Sequence, residues 1–428
     1  MNARNIIRSR SLDDWLLYIE NIYTKNIHFS LHRIKLVAKK LNILNFKSFV
    51  FTVSGTNGKG STCAILERFF LNAGYQVGLY TSPHLIHYYE RIRINGKYLK
   101  DDLLHIKVFQ TVDTVRQGIP LTYFEFITLS ALLIFQEYSL DIIILEVGLG
   151  GRLDATNIID PNISIITNIA LDHTNILGDS REKIGFEKSG IFRKDIYAIL
   201  GDRNLPNSIY QKSHSLNTCL HRIYYEWDWH KIGDVWNFYD HRGGLYNLPI
   251  PKVSLPSAAI ALSALRTSNF TFEKRIFSKS LKEVYLPGRF QIILNHPRII
   301  VDVAHNPHAA YFLRKQLEEL LLHESKNVNL YAVIGMVFEK DIKSTLFPFF
   351  DIINYWYFST IKTNRSSTFS VLRDILPKNS VACSSISSAL NILINQVRKI
   401  DIILVFGSFF TVSEAVLFIK QKYHFKGI

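Results

Sequence analysis

The sequence predicts an α/β protein built from two doubly wound sheets, the first larger than the second. Three observations carry that expectation. Short apolar, β-branched segments alternate with stretches of helical periodicity along most of the 428 residues, which is the pattern of a mostly parallel sheet. A glycine-rich run, Val53-Ser54-Gly55-Thr56-Asn57-Gly58-Lys59-Gly60-Ser61-Thr62, stands between one such strand and one such helix. The length also exceeds what a single core usually serves, so two or three domains are expected.

The first strand is Phe49-Val50-Phe51-Thr52-Val53, a nearly continuous apolar run of the kind that parallel strands buried on both faces show. After the glycine run, residues 63–71 have helical spacing, with Gly74 as the stop. A second strand, Val77-Gly78-Leu79-Tyr80, ends in Thr81-Ser82-Pro83-His84. Strands at 140–146, 163–168 and 196–200 follow, interleaved with helical stretches near 102–116 and 124–138. Residues 218–250 differ. There Trp227, Trp229, Trp236, Phe238 and Tyr239 alternate with polar residues around the turn His241-Arg242-Gly243-Gly244, which predicts antiparallel hairpins at the edge of the first domain. Leu286-Pro287-Gly288-Arg289-Phe290 breaks the preceding helix and predicts a hinge. Strands at 299–303, 330–335, 356–360 and 402–407 then form a second series without a glycine loop of the first kind. The expected organisation is an N-terminal P-loop mononucleotide-binding doubly wound domain over 1–287, a linker over 288–297, and a smaller C-terminal Rossmann-like domain over 298–428. Ligands of open α/β sheets collect at the carboxyl ends of the strands, which places the expected site in the cleft between the two blocks.

Composition narrows the function classes. The chain is 47% hydrophobic and 20% charged, ordinary for a globular protein. Its longest apolar runs, such as 126–135, fall short of the ~18 residues a membrane span needs. Arg4, Arg8 and Arg10 are followed by Asp13 and Asp14 rather than by an apolar segment, so no signal peptide is read. Cys63, Cys219 and Cys383 are odd in number and scattered, which suggests neither a disulfide framework nor a zinc site. The cytoplasm is the expected location, with no membrane partner. The net charge of +14 comes from Lys and Arg spread along the chain, without a dense basic block, so no nucleic-acid partner is expected. Two readings of the charge stay open: compositional drift, or a field that draws in anionic substrates.

The strand–glycine loop–helix run is the setting of a P-loop. Its glycines turn backbone N–H groups towards phosphates, the helix N-terminus adds a favourable dipole, and Lys59 meets the β/γ-phosphate charge. Ser61 or Thr62 can reach Mg²⁺. The competing reading is a glycine turn that binds nothing. Glu146 ends the apolar strand Asp141-Ile142-Ile143-Ile144-Leu145-Glu146, where a carboxylate suits a nucleotide-bound Mg²⁺. A solvated strand-end acid is the alternative, and the glycine-rich Val147-Gly148-Leu149-Gly150-Gly151-Arg152 directly after it favours a site. Thr122 and Glu125 stand at capping-box spacing before a helix. His173 and Lys188, taken alone, read as structural and surface residues.

The form Gly55-Thr56-Asn57-Gly58-Lys59-Gly60-Ser61 is not the generic P-loop, since Gly60 separates Lys59 from Ser61 and Val53 stands where the first glycine would be. It resembles the loop of the Mur-ligase superfamily and, within it, of the folylpolyglutamate synthase/dihydrofolate synthase family. The run from Leu145 to Asn157 resembles that family almost letter for letter, and the likeness extends from about Trp15 to Val416. The resemblance implies ATP and Mg²⁺ as cofactors. Thr56, Asn57, Gly58, Lys59, Gly60 and Ser61 would hold ATP, with Ser257, Arg289 and Asp302. It implies Ser82, Glu146, His173 and Ser61 as metal ligands, and a carbamylated Lys188 at a second Mg²⁺. Lys59, Lys188, His173 and Glu146 would be the catalytic set. It implies a pterin site of His28, Phe29, Ser30 and Leu31, of Thr122, Tyr123, Phe124 and Glu125, and of Leu153, Asp154 and Ala155. In that site Phe124 would stack on the heterocycle and Asp154 would hydrogen-bond it. His305, in Asp302-Val303-Ala304-His305-Asn306-Pro307, and Ser408 would serve the glutamate pocket.

Two departures from the family pattern stand out. Pro256-Ser257-Ala258 replaces P-N-A, which bears on nucleotide affinity, and His28-Phe29-Ser30-Leu31 replaces a D-L-G-L-like loop, which bears on pterin affinity. The implied activity is ATP-dependent ligation of L-glutamate to 7,8-dihydropteroate, and of further glutamates to reduced folates, through an acyl phosphate, by a monomer. The alternatives are a monofunctional folylpolyglutamate synthase, a peptidoglycan-precursor ligase (disfavoured by length and the lack of a third block), and a nucleotide-binding regulator that does not ligate.

Overall fold

Eight strands of the first unit form one sheet: β1 (Phe49–Ser54), β2 (Val77–Tyr80), β3 (Ile92–Ile94), β4 (Lys97–Tyr98), β5 (Ile142–Glu146), β6 (Ile163–Ile166), β7 (Tyr197–Leu200) and β8 (Cys219–Arg222). They are described by a computed structural model that covers residues 10–23, 30–324, 327–363 and 365–423. Their order is β4-β3-β2-β5-β1-β6-β7-β8. The run from β2 to β8 across the sheet is parallel, while β3 and β4 add an antiparallel edge. β1 and β5 are buried almost throughout because helices cover both faces, which is why they read as continuous apolar runs. The helix Tyr123–Gln136 contributes ten buried residues. Together with the helices Leu12–Asn21, His32–Leu41 and Asp102–Arg116 it packs a core around Trp15, Phe109, Phe126 and Phe135.

A three-stranded antiparallel sheet, β9 (Trp227–Ile232), β10 (Val235–Asp240) and β11 (Gly243–Pro249), follows as the alternating aromatics indicated. One part of the expected hairpin region is different. Residues 219–222 form β8, which pairs parallel with β7 as the last strand of the main sheet. Only His221 of the four is fully buried, which suits a sheet edge as well as a hairpin, so the sequence pattern could not separate the two.

The chain divides after Tyr285, and Leu85–His87 belong with the second unit. That unit is a six-stranded sheet of β12 (Gln291–Asn295), β13 (Arg298–Asp302), β14 (Leu330–Ile334), β15 (Tyr355–Phe358), β16 (Val381–Ala382) and β17 (Ile402–Phe406). The order is β12-β13-β17-β14-β15-β16, and all pairs are parallel except β12 with β13. Residues 288–297, expected as a linker, therefore contain a strand of this sheet. A Gly288 flanked by Pro287 marks a break in the helix but does not show how soon the next strand begins. Apolar clusters lie on both faces, one around Phe349, Phe358 and Phe406, the other around Leu390, Val405 and Val416.

Candidate active site

β1 delivers the glycine loop at the carboxyl end of the central strand of the first sheet, and the helix Lys59–Asn72 begins directly after it. Gly58 has φ +84°, and a Cβ there would stand 2.8 Å from Ser257 Oγ, so both conformation and space call for glycine. The loop is held from the end of β6. Asn168 Oδ1 accepts from Asn57 N at 3.0 Å, and Asn168 O accepts from Thr56 N at 3.0 Å. Thr167 Oγ1 and Asn168 Nδ2 both donate to Asn57 O, at 2.6 and 2.9 Å. Thr56 Oγ1 donates to Ala170 O and accepts from Ala170 N. Lys59 Nζ donates to the carbonyls of Gly55 (2.9 Å) and Thr56 (3.2 Å), which folds the ammonium over the loop it serves. Ser61 and Thr62 are buried in the first helical turn, and the Thr62 hydroxyl has no hydrogen-bond partner.

Glu146 lies one strand away, paired in register with Val53. Its carboxylate is buried, and its Oε2 accepts from the backbone N of Ser82 at 3.1 Å. His173 stands at the start of the short helix Thr174–Leu177 with φ +51°, and its Nε2 is 4.0 Å from Asp172 Oδ1. Lys188, read alone as a surface residue, is 2% exposed. Burial drives its amine far below the ordinary lysine range, the charge of Lys59 pushes the same way, and Asp172 opposes both. The structure thus brings Lys188, Lys59 and Asp172 into one electrostatic neighbourhood. Among the described residues no group of three or more His, Cys, Asp and Glu side chains is placed to hold a metal alone. The donors present are a buried carboxylate, an imidazole and hydroxyls. They fit a Mg²⁺ that completes its shell with phosphate oxygens and water rather than an all-protein cage.

The expected pterin residues include Phe124 and Asp154, which meet the loop that follows Glu146 at Gly148 and Leu149. Thr122 caps the helix Tyr123–Gln136 in a full capping box, with Glu125 N donating to Thr122 Oγ1 and Thr122 N to Glu125 Oε2. The same Oε2 accepts from Arg33 Nε at 2.8 Å. Glu125 is thus committed to structure, and Arg33, unmarked by any motif, ties the helix His32–Leu41 to it. Tyr123 lies under the guanidinium of Arg91. Phe124 packs its ring edge against Gly148 and tilts 30° from Tyr80 at 5.9 Å. Asp154 caps the short helix Ala155–Ile158, accepting from Thr156 N, Thr156 Oγ1 and Leu149 N. Burial raises its carboxyl while these bonds, with one from Gly148, pull it down. Leu153 is half-buried and Ala155 belongs to the core. Ser30 Oγ accepts from His32 N and Leu31 packs on the core, whereas His28 and Phe29 lie outside the described residues.

Ser257, in the first turn of the helix Leu255–Thr267, is 3% exposed and its hydroxyl is 3.4 Å from Gly58 O. In the second unit the remaining candidates collect at the carboxyl ends of β13 and β17. Asp302 accepts from Phe290 N and Ala304 N. Burial raises its carboxyl and the nearby Arg289 lowers it. Arg289 stacks its guanidinium over Phe409 at 5.2 Å. His305 Nδ1 lies 2.8 Å from Val303 O, and Ser408 Oγ accepts from Thr411 N at the start of the helix Phe409–Tyr423. Two supporting residues escaped the sequence reading. Asn168 had only its strand-end position to mark it, and Asp172 only its place beside His173.

A glycine phosphate loop on the first sheet, followed in the chain by a Rossmann-like sheet without such a loop, is the pattern of a ligase of the Mur type. Family models agree: the Mur ligase middle domain matches residues 53–222, and the Mur ligase glutamate ligase domain matches residues 288–409. The dihydrofolate synthase/folylpolyglutamate synthase of Buchnera aphidicola subsp. Acyrthosiphon pisum is 50% identical over 410 residues, covering 96% of this chain and 98% of the relative. The Escherichia coli protein of the same name is 44% identical, with 96% of each chain covered. Escherichia coli FolC in complex with DHPP and ADP superposes with a TM-score of 0.93 at 43% identity, covering 97% of this chain and 99% of that one. The Yersinia pestis bifunctional enzyme complexed with AMPPNP and Mn gives 0.91 at 39% identity, covering 97% and 98%. The chain belongs to the dihydrofolate synthase/folylpolyglutamate synthase family and is an ATP-dependent ligase. No helix among the described residues is long and apolar enough to cross a membrane.

Proposed function

We propose that the chain joins L-glutamate to 7,8-dihydropteroate, and further glutamates to reduced folates, with the residue roles that follow. The observation that carries this reading is the grouping of Lys59 on the glycine loop, Glu146 on the adjoining strand, and a buried Lys188 beside them. A carboxylate oxygen of the pterin substrate attacks the γ-phosphorus of ATP, the bond from that phosphorus to the β,γ-bridging oxygen breaks, and ADP leaves. Lys59 Nζ exchanges the carbonyls of Gly55 and Thr56 for phosphoryl oxygens and stabilises the charge that develops. The α-amine of glutamate then attacks the acyl carbon, the bond to the phosphate oxygen breaks, and the amine loses a proton as the amide forms. Glu146, His173, Ser82 and Ser61 would hold Mg²⁺, which when bound neutralises phosphate charge.

Lys188 supports the carbamylation reading on physical grounds. Carbamate formation needs a neutral amine, and burial beside another cation favours that form. The carbamate would supply an anionic oxygen ligand for a second Mg²⁺. Phe124 offers the pterin a ring face, with Thr122, Tyr123, Leu153 and Asp154 around it. Arg289, Asp302 and Ser257 are assigned to the nucleotide, His305 and Ser408 to glutamate, and the working form to a cytoplasmic monomer. The test is ADP release that requires both glutamate and a pterin acid, compared with dihydropteroate and with tetrahydrofolate. Release with both supports bifunctionality. Release with tetrahydrofolate alone indicates a monofunctional folylpolyglutamate synthase, and release independent of glutamate indicates a hydrolase.

A further inference from the structure

A cavity of ≈ 640 Å³ opens beside β8, the edge strand of the first sheet and three strands away from the β1 that carries the glycine loop. Its wall includes Tyr197, the first residue of β7, and Thr267, the last residue of the helix whose Ser257 faces Gly58. Thr267 lies ten positions on from Ser257 along that helix, about 15 Å at 1.5 Å per residue. The cavity is therefore distinct from the ligase site. Its volume is in the range of small-molecule pockets.

Four features of its lining point to an occupant. Tyr197, Tyr224 and Tyr225 stand around the opening with 46, 49 and 70% of their surface exposed, a concentration of aromatic area that the fold leaves in water. Arg203 lies 4.2 Å above the Tyr224 ring and Arg222 lies 4.3 Å above that of Tyr225, which steadies both rings. Tyr224 has φ +74°, fixed by its N–H to Trp227 O at 2.7 Å. A residue with a bulky side chain is costly there, where Gly or Asn would fit, so the strain is accepted for the ring it presents. His221 is 5% exposed, and its Nε2 has no hydrogen-bond partner. It packs edge-on to Tyr197 and His241 in the cavity wall, where burial lowers the imidazole's pKa, and its Nε2 is a buried polar group without a partner.

Charge sets the rest of the ligand. Of the lining carboxylates, Glu226 is paired with Arg222 at 2.8 Å and Asp240 with Arg266 at 2.5 Å, and Asp228 lies 3.7 Å from His230 Nε2. The guanidinium of Arg242, exposed at the rim, has no ion-pair partner among the described residues. We propose that this cavity is a second binding site, for a planar heteroaromatic ring with a polar edge and an anionic arm. The tyrosines stack the ring, His221 meets its polar edge, and Arg242 takes the arm. Nucleotides and pterin acids share this chemistry.

The test measures binding of adenosine monophosphate and of pterin-6-carboxylate, separately, by equilibrium dialysis to the full chain and to the double variant Tyr225→Ala, Arg242→Ala. Both side chains are exposed, so the variant is expected to fold and to turn over substrate as the native chain does in the absence of either probe. The native chain should hold one more equivalent of at least one probe, with affinity at least about tenfold weaker in the variant, the loss of one stacking face and one charge-assisted contact. A difference confined to adenosine monophosphate identifies a nucleotide site, and one confined to pterin-6-carboxylate identifies a pterin site. Equal binding of both probes to the two proteins would overturn the proposal.

Discussion

Gly148→Ala tests whether the Phe124 ring is part of the pterin site. A Cβ on Gly148 would stand 2.7 Å from Phe124 Cζ, 3.0 Å from Cε1 and 3.1 Å from Cε2. Carbon contacts settle near 3.5–4.0 Å, so the ring must withdraw by roughly 0.5–1 Å. The ring also packs against the fully buried Tyr80, 5.9 Å away and held by its hydroxyl 3.1 Å from Thr128 Oγ1, which limits how far it can shift. The backbone of Gly148 is not in the left-handed region, and the effect is steric alone. Overpacking of this kind costs about 1–3 kcal/mol. If about 1–2 kcal/mol falls on the encounter with the heterocycle, KM for dihydropteroate rises roughly 5- to 30-fold. Steady-state ADP release against dihydropteroate concentration reads this directly, with KM for ATP as the internal control, expected to hold within about twofold. Phe124→Leu should relieve the clash, so the double variant should regain thermal stability but not pterin affinity, a non-additive cycle. A folded Gly148→Ala protein with native KM for dihydropteroate would refute the placement of the ring.

The other predictions concern the phosphate and metal chemistry. Lys59→Ala should lower kcat by about 10²–10³ or more without unfolding the chain, since its Nζ bonds only loop carbonyls at present; near-native turnover at saturating ATP would displace it from the reaction. Glu146→Gln should raise the Mg²⁺ concentration needed for half-activity by about 10- to 100-fold, and an unchanged Mg²⁺ titration would remove it from the metal site. For Lys188, depletion of CO₂ and bicarbonate should reduce activity reversibly, and Lys188→Ala should be partly rescued by small carboxylic acids. Because burial lowers its pKa, an unmodified Lys188 binds its proton less readily folded than unfolded. Its contribution to stability is therefore least favourable below the folded pKa and improves as pH rises towards the unfolded lysine value. A Lys188→Met chain whose stability falls off towards acid as steeply as the native one would contradict that sign. Ser257→Ala should weaken ATP binding by about 0.5–1.5 kcal/mol, the net worth of one hydrogen bond, since its 3.4 Å contact with Gly58 O is a poor bond that leaves the hydroxyl available to the nucleotide; an unchanged ATP affinity would remove Ser257 from the nucleotide site.

Much of this protein was settled by the order of its residues. The glycine loop was legible between an apolar strand and a helix, because the left-handed φ at Gly58 and the helix start at Lys59 are marked by the residues themselves, although the fold holds the loop in place. The same holds for the capping box of Thr122 and Glu125, whose bonds span three residues. Strand periodicity likewise announced both sheets, although it could not tell the parallel edge strand at 219–222 from a hairpin, nor place β12 inside the expected linker. What the tertiary structure alone decided depends on partners far apart in the chain. Lys188 looks like a surface lysine until the fold buries it beside Lys59, 129 positions earlier in the numbering. Arg33 reaches Glu125 across 92 residues, and Asn168 supports Asn57 across 111. The tyrosines around the distal cavity come from β7, the loop after β8, and β10. Local geometry is encoded by a few adjacent dihedrals, whereas desolvation and long-range charge arise only when packing has brought distant segments together. A shifted amine or an unpartnered imidazole is therefore a property of the fold, even where the residue that carries it was in plain view.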